Sequence, residues 1–419
     1  LRSSLCQSLN FAMTPFRYVN GCIESHCRPL YACSFNPYTC PQFPLHIAVA
    51  GINHVSIYEI TNGTDFYPKL TICDPALTPH DDCTGEADRS SATKANRFYA
   101  VNWLYDTRDD KLMVVFGGDN GLIRIVNAST AEEVQIHSGH GNVVNEIRVH
   151  PVKFTIYASA SKDMTIRIWS SRCQTALVVV AGFDGHRDQI LSCDWSVCGN
   201  YIASGSMDHT VRLWKVTEKM HERDAEKRDR SFEEFDEPFK AAVESSFACA
   251  QVASTGDMHT NYVDCVRFFG QFLFTKSSEN DLVISKFGDF EDGVAGCRIT
   301  ADTANETSIS QLSHLRIPNG DTWFLKFDID PRKEWLLVGD RTGKIHAWHL
   351  TPARLPSADP DCTIEMPGML PSAIRQIAFD PHGKLVACVS DHATIVILKR
   401  TDWTPENDRT QGSPSPSSV

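Results

Sequence analysis

The chain has no apolar run long enough to cross a membrane. Its longest, Thr175 to Phe183 (TALVVVAGF), is about half the ~20 residues a bilayer span requires. The opening LRSSLCQSLNFAMTPF lacks the apolar core of roughly 7–15 residues that marks a signal peptide, so an intracellular protein is expected. Basic residues are in deficit: 40 Lys+Arg against 52 Asp+Glu leave a net charge of −12. That balance argues against direct DNA binding and favours a Lys/Arg-rich partner. Also missing are H-E-x-x-H, G-x-S-x-G, a P-loop and a strand followed by G-x-G-x-x-G. No enzyme, catalytic residue or cofactor is therefore expected. Cys22, Cys27, Cys33 and Cys40 contain no C-x-x-C pair, so no metal site is expected, and cysteines inside runs such as LSCDW and VDCVRF read as buried free thiols.

What the chain does contain is a repeat. GHGNVVNEIRVHPVKFTIYASASKDMTIRIWS from Gly139 and GHRDQILSCDWSVCGNYIASGSMDHTVRLWK from Gly185 are near-copies. Each runs Gly-His, an alternating strand, a turn, a small-residue strand, an Asp turn, and an alternating strand ending in Trp. This is the WD40 signature of four strands per propeller blade. Weaker copies follow: LYACSFNP with VAGINHVSIYEI, FYAVNWLYD with VFGGDNGLIRIVN, YVDCVRFF with KSSENDLVISKF, TWFLKFDIDP with VGDRTGKIHAW, and AIRQIAFDPHG with VSDHATIVILK. The count is seven, so the fold class is all-β, a seven-bladed WD40 β-propeller. Expected boundaries are an N-terminal arm over 1–28, the propeller over 29–403 with a charged insertion at about 217–260, and a disordered tail over 404–419.

His140, Asp163 and Ser159 resemble a hydrolase set, and His186, Asp208 and Ser204 repeat it. Repetition at equivalent blade positions points instead to a structural tetrad completed by Trp169 and Trp214. A second constellation appears when the first strands are aligned on their closing residues Phe35, Trp103, Val149, Trp195, Phe268, Phe327 and Phe379. Four residues earlier lie Tyr31, Tyr99, Asn145, Leu191, Asp264, Trp323 and Arg375. First strands line a propeller's channel, so these sites ring one mouth. The aromatics, with Phe324 beside Trp323, fall on blades 1, 2 and 6, on one side of the closed ring. They read either as packing residues at blade junctions or as a cage for a methylated ammonium, whose charge ring faces attract by roughly 0.5–2 kcal/mol per contact.

FYAVNWLYD, GHGNVVNEIRVHP, SKDMTIRIW, FDGHRDQIL, MDHTVRLW, NYVDCVRF with KSSEN, DTWFLKF and AIRQIAF resemble the extra sex combs / embryonic ectoderm development (EED) family, the WD40 subunit of Polycomb repressive complex 2. The resemblance spans roughly Leu30 to Arg400 and suggests a divergent, nematode-like member. It implies a non-catalytic scaffold and reader in the nucleus, chromatin-associated and acting in transcriptional repression. One face would hold a SET-domain histone methyltransferase subunit, and the other would bind a histone H3 tail bearing trimethyl-lysine and so stimulate methylation. The implied cage is Tyr31, Tyr99, Trp323 and Phe324, with peptide-flanking contacts at Tyr262, Asp264 and Arg375. Tyr31 stands for the family's Phe, Phe324 for its Tyr, Gln189 for its Glu and Lys326 for its Arg, the last two altering recognition around the methyl-lysine. Other readings are a WD40 substrate adaptor of a ubiquitin ligase and a structural scaffold with a non-functional cage.

Overall fold

The computed structural model describes residues 14–39, 44–61, 65–73, 96–182, 185–216, 250–256, 258–287, 290–291, 298–299, 309–351, 355–366, 368 and 370–401. Strands rich in Val, Ile and aromatics, parted by Asn, Asp and Gly turns, pair into antiparallel four-stranded sheets. The channel strands of blades 1 to 5 are Leu30–Phe35, Phe98–Asp106, Val144–Val149, Ile190–Trp195 and Val263–Phe269. Blade 6 begins with the two-residue strand Asp328–Ile329, and blade 7 with Ile374–Phe379.

Neighbouring blades share hydrophobic clusters, seven among the described residues, one at each junction. The cluster joining blade 7 to blade 1 packs Ile395, Ile397 and Ala387 on Leu30, Ile47 and Val49. The ring is therefore closed, and among the described residues each blade packs a face against each neighbour.

Two boundaries differ from the sequence reading. Within the expected arm, Phe16–Ile23 pairs antiparallel with Thr394–Arg400 as the outer strand of blade 7, and Phe16 is buried against Trp335 and Phe379. The last blade has only three strands of its own at the C-terminal end, and its open edge takes the fourth from the other end of the chain. The expected insertion also ends early, because Ala250–Thr255 is the outer strand of blade 4. Residues 217–249 and the tail over 404–419 lie outside the described residues.

Both tetrads form. Trp169 Nε1–H donates to Ser159 Oγ (2.8 Å), Ser159 donates to His140 Nε2 (2.6 Å), and His140 Nδ1–H donates to Asp163 (2.8 Å). In blade 4, Trp214, Ser204, His186 and Asp208 repeat the chain at 2.8, 2.7 and 2.9 Å. Ser159 and Ser204 are 0% exposed, so neither hydroxyl can meet a substrate; each relay ties the third strand of its blade, through the second, to the segment that precedes the channel strand.

Candidate functional site

In six blades the register between the channel strand and its neighbour skips one residue, and the skipped residue is Tyr31, Tyr99, Asn145, Leu191, Asp264 or Arg375. A bulge re-aims one side chain out of the strand's alternation. In blades 1 and 2 that side chain is a tyrosine near the channel mouth. The Tyr99 bulge sits where Gly118 leaves room for no side chain, since an added Cβ would lie 1.7 Å from the Arg97 carbonyl oxygen.

Blade 6 reaches the same mouth differently. Consecutive residues of a regular strand face opposite ways, so Trp323 and Phe324 can share a site only if the strand breaks. It does: among the described residues, the stretch from Trp323 to Phe327 pairs through an isolated parallel bridge from Lys326 to Gln376 and joins no strand. Phe324 has φ +66°, a left-handed conformation that costs a bulky residue about 1–3 kcal/mol. Asp264 holds it there, its Oδ2 accepting the Phe324 N–H (2.7 Å) and the Leu325 N–H (3.3 Å).

The four rings converge. Tyr31 and Tyr99 have centroids 5.0 Å apart at 52°, Tyr99 and Phe324 5.4 Å at 71°, and Phe324 and Trp323 5.9 Å at 74°. Phe324 is the buried floor (3% exposed), both tyrosines are half-buried, and Trp323 stands up as a wall, 47% exposed. Burial raises both phenols, Tyr99 to about 12 despite its hydrogen bond with Arg97, so both rings stay neutral under physiological conditions. Neutral ring faces set at steep angles have the chemistry to attract a cation that carries apolar substituents.

The three expected flanking residues separate. Tyr262 is exposed, with His209 as its ring neighbour at 5.8 Å. Asp264 differs from the expectation of a peptide contact: it is 0% exposed and paired with the equally buried Lys276 at 2.9 Å, so it supports the four rings from below and offers no surface to a ligand. Arg375 grips Asp391 through two 2.7 Å bonds and donates to the Trp323 carbonyl at 3.2 Å, bracing the wall. Lys326 also differs from expectation. It is 1% exposed, bonded to Glu146 and the Asn145 carbonyl at 3.0 Å each, with its ammonium 4.4 Å from the Phe324 centroid. It therefore supports the floor from the channel side. Gln189 is half-buried, its amide on Met207 Sδ.

Below the cage the channel opens into a cavity of about 190 Å³ lined by Ser34, Asn102, Glu146, Arg148, Asp328 and Gln376, among others. Burial pushes Asp194 and Asp328 up to about 6, against the opposing pull of Arg148. At the far ends of the channel strands, Tyr38 stacks on Tyr105 (5.5 Å) and meets Phe154 (4.9 Å). Val152 and Val197, just past the channel strands of blades 3 and 4, are 63% and 60% exposed.

The WD domain, G-beta repeat family matches residues 131–170 and 177–215, the two blades with complete tetrads. Over most of its length the chain is 28% identical to Polycomb protein esc of Drosophila melanogaster, covering 93% of this chain and 85% of that one. It is 30% identical to Polycomb group protein FIE1 of Oryza sativa over 370 residues, covering 88% and 87%. The chain belongs to the Polycomb esc/FIE family. This membership implies a non-catalytic WD40 protein with a nuclear chromatin role. A crystal structure of the Chaetomium thermophilum polycomb repressive complex 2 contains a chain of the same fold, with TM-score 0.72 and 18% identity over 92% of this chain and 98% of that one.

Proposed function

We propose that this protein reads trimethyl-lysine on a histone H3 tail with Tyr31, Tyr99, Trp323 and Phe324, while its opposite face holds a SET-domain histone methyltransferase subunit. The observation that carries the reading is the convergence of four rings from three blades at one channel mouth. Ordinary junction packing gives no reason for a half-exposed indole above a phenylalanine held left-handed by a buried carboxylate. Support also comes from a solved complex of the same fold, described as ctPRC2 in complex with H3K27me3 and H3K27M. The acidic net charge suits a basic tail.

Replacing the family's Tyr by Phe324 leaves the cage aromatic and removes a hydroxyl that a quaternary ammonium, which has no hydrogen to donate, does not need. For the scaffold role, Tyr38, Phe154, Val152 and Val197 supply an apolar docking surface at the other mouth. Two assays test the halves separately. An immobilised trimethyl-lysine H3 peptide should capture the parent and not Trp323→Ala. Val152→Glu with Val197→Glu should abolish co-purification with a SET-domain subunit and leave peptide capture intact. Co-purification with ubiquitin-ligase components instead, or absence of peptide capture by the parent, would overturn the corresponding half.

A further inference from the structure

Where the N-terminal strand of blade 7 ends, the chain crosses to blade 1. Glu24 marks the crossing. Its N–H donates to the Ala393 carbonyl of blade 7 (2.9 Å), while its carboxylate turns toward blade 1. There Oε1 accepts the Tyr58 hydroxyl, and Oε2 faces both His54 Nε2, at 2.8 Å, and His26 Nε2. Glu24 and His54 are each 8% exposed, and the two imidazole centroids lie 4.1 Å apart.

With His54 neutral, the hydrogens do not balance. His54 Nδ1 lies 2.7 Å from the Ile52 carbonyl oxygen, which can only accept, so Nδ1 carries the proton. A neutral His54 then aims its Nε2 lone pair at a carboxylate oxygen, lone pair against lone pair, in a site shielded from water. A cation between them removes the conflict.

We propose that Glu24, His54 and His26 form a binding site for a divalent transition metal of the zinc class, at the seam where the ring closes. Two imidazole nitrogens and one carboxylate oxygen match this donor chemistry, with a fourth position left for water. All three donor atoms lie within 4.8 Å of one another, so small outward shifts bring them to the ~2.0–2.2 Å ligand distances of such an ion. The supporting contacts are also those of a metal site. His54 is oriented by its back-bond to a carbonyl, and Glu24 by Tyr58, as second-shell partners orient ligands.

His26 is the weakest donor. Its Nδ1 accepts the Arg28 N–H (2.9 Å), so binding through Nε2 moves its proton to Nδ1 and gives up that bond, on a partly exposed turn where water replaces it. The thiols of Cys22, Cys27 and Cys33 are free and outside the group. A bound ion would pin the crossing segment of blade 7 to blade 1 and so stabilise ring closure.

The test uses the full chain, stripped with chelator and titrated with Zn²⁺ and with Co²⁺. One saturable equivalent of each is expected, the cobalt adduct showing visible d–d bands without a sulfur charge-transfer band. Zn²⁺ should raise Tm, reversibly on chelation. His54→Gln and Glu24→Gln should abolish the equivalent, and Tyr58→Phe, which keeps all three donors, should weaken it by ~10-fold. If His54→Gln and Glu24→Gln fail to fold, His26→Ala and Tyr58→Phe carry the comparison. Absence of a saturable equivalent, full binding in the variants, or a sulfur band would overturn the site and leave a proton on His54 as the occupant of the gap.

Discussion

Removing the indole of Trp323 should separate binding from stability. In the free protein this side chain is 47% exposed, and its ring contact is the edge-to-face meeting with Phe324 at 5.9 Å. Losing one such pair costs at most ~1.5 kcal/mol, so Trp323→Ala should stay folded with a small change in Tm. In the complex the same ring is a wall. Its loss removes a cation–π contact of ~0.5–2 kcal/mol and the cover over about one methyl group, ~0.8 kcal/mol. The sum, ~1–3 kcal/mol, raises Kd by about 5- to 150-fold. Calorimetric titration of a trimethyl-lysine H3 peptide into parent and variant at fixed salt, beside a thermal melt, measures both quantities. Equal Kd values would refute the cage; cooperative unfolding of the variant would show that the indole packs a blade junction instead.

Phe324→Ala should lower stability as well as binding, because that ring is 3% exposed and a large buried aromatic costs about 3–5 kcal/mol to truncate; chemical denaturation reads the stability loss. Asp208→Ala should cost ~1–3 kcal/mol through the unmet donors of His186, Thr210 and Arg187, with unchanged peptide Kd in the folded fraction. Asp328→Asn should change the pH dependence. The folded carboxyl is raised from 3.8 to about 6, so the fold binds this proton more tightly than the unfolded chain, and the charged form is penalised above pH 6. The variant should therefore exceed the parent in stability at pH 7.5 by up to ~3 kcal/mol, less about 1 kcal/mol for one of its two backbone acceptor contacts. Urea midpoints should show that gap closing between pH 6 and pH 4; a gap independent of pH would contradict the assigned burial.

Much of this architecture was legible because it repeats. One spacing rule, four residues before the closing hydrophobic residue, landed on the bulged residue of six channel strands, since a bulge at a fixed place in a repeat leaves a fixed offset. Position alone did not reveal environment: Asp264 and Leu191 share Tyr31's offset yet are 0% exposed. Lys326, a lone charge between Leu325 and Phe327, was the signal for a buried ion pair with Glu146, whereas Lys276, between Thr275 and Ser277, gave no such mark of its buried pair with Asp264. The break at Trp323 was implied by two adjacent cage aromatics, which no continuous strand can aim the same way. Phe16–Ile23 escaped detection because only Phe16 in it is buried, which erases the alternation that marks a strand. The missing fourth strand of blade 7 was the better clue. Glu24, His26 and His54 come together only through closure of the ring, which no local spacing encodes.

The central claim is that four rings recognise a methylated ammonium by its methyl groups and not by its charge. An unmethylated lysine carries the same charge but is strongly hydrated, and the rings cannot replace the hydrogen bonds it would lose on entering. Each added methyl exchanges a donor for apolar surface. The direct measurement is a titration of otherwise identical H3 peptides, differing only in methyl count on one lysine, at fixed salt. Affinity should rise from unmethylated through dimethyl to trimethyl; equal affinity across the series would mean that the acidic surface alone attracts the tail, and would contradict the account.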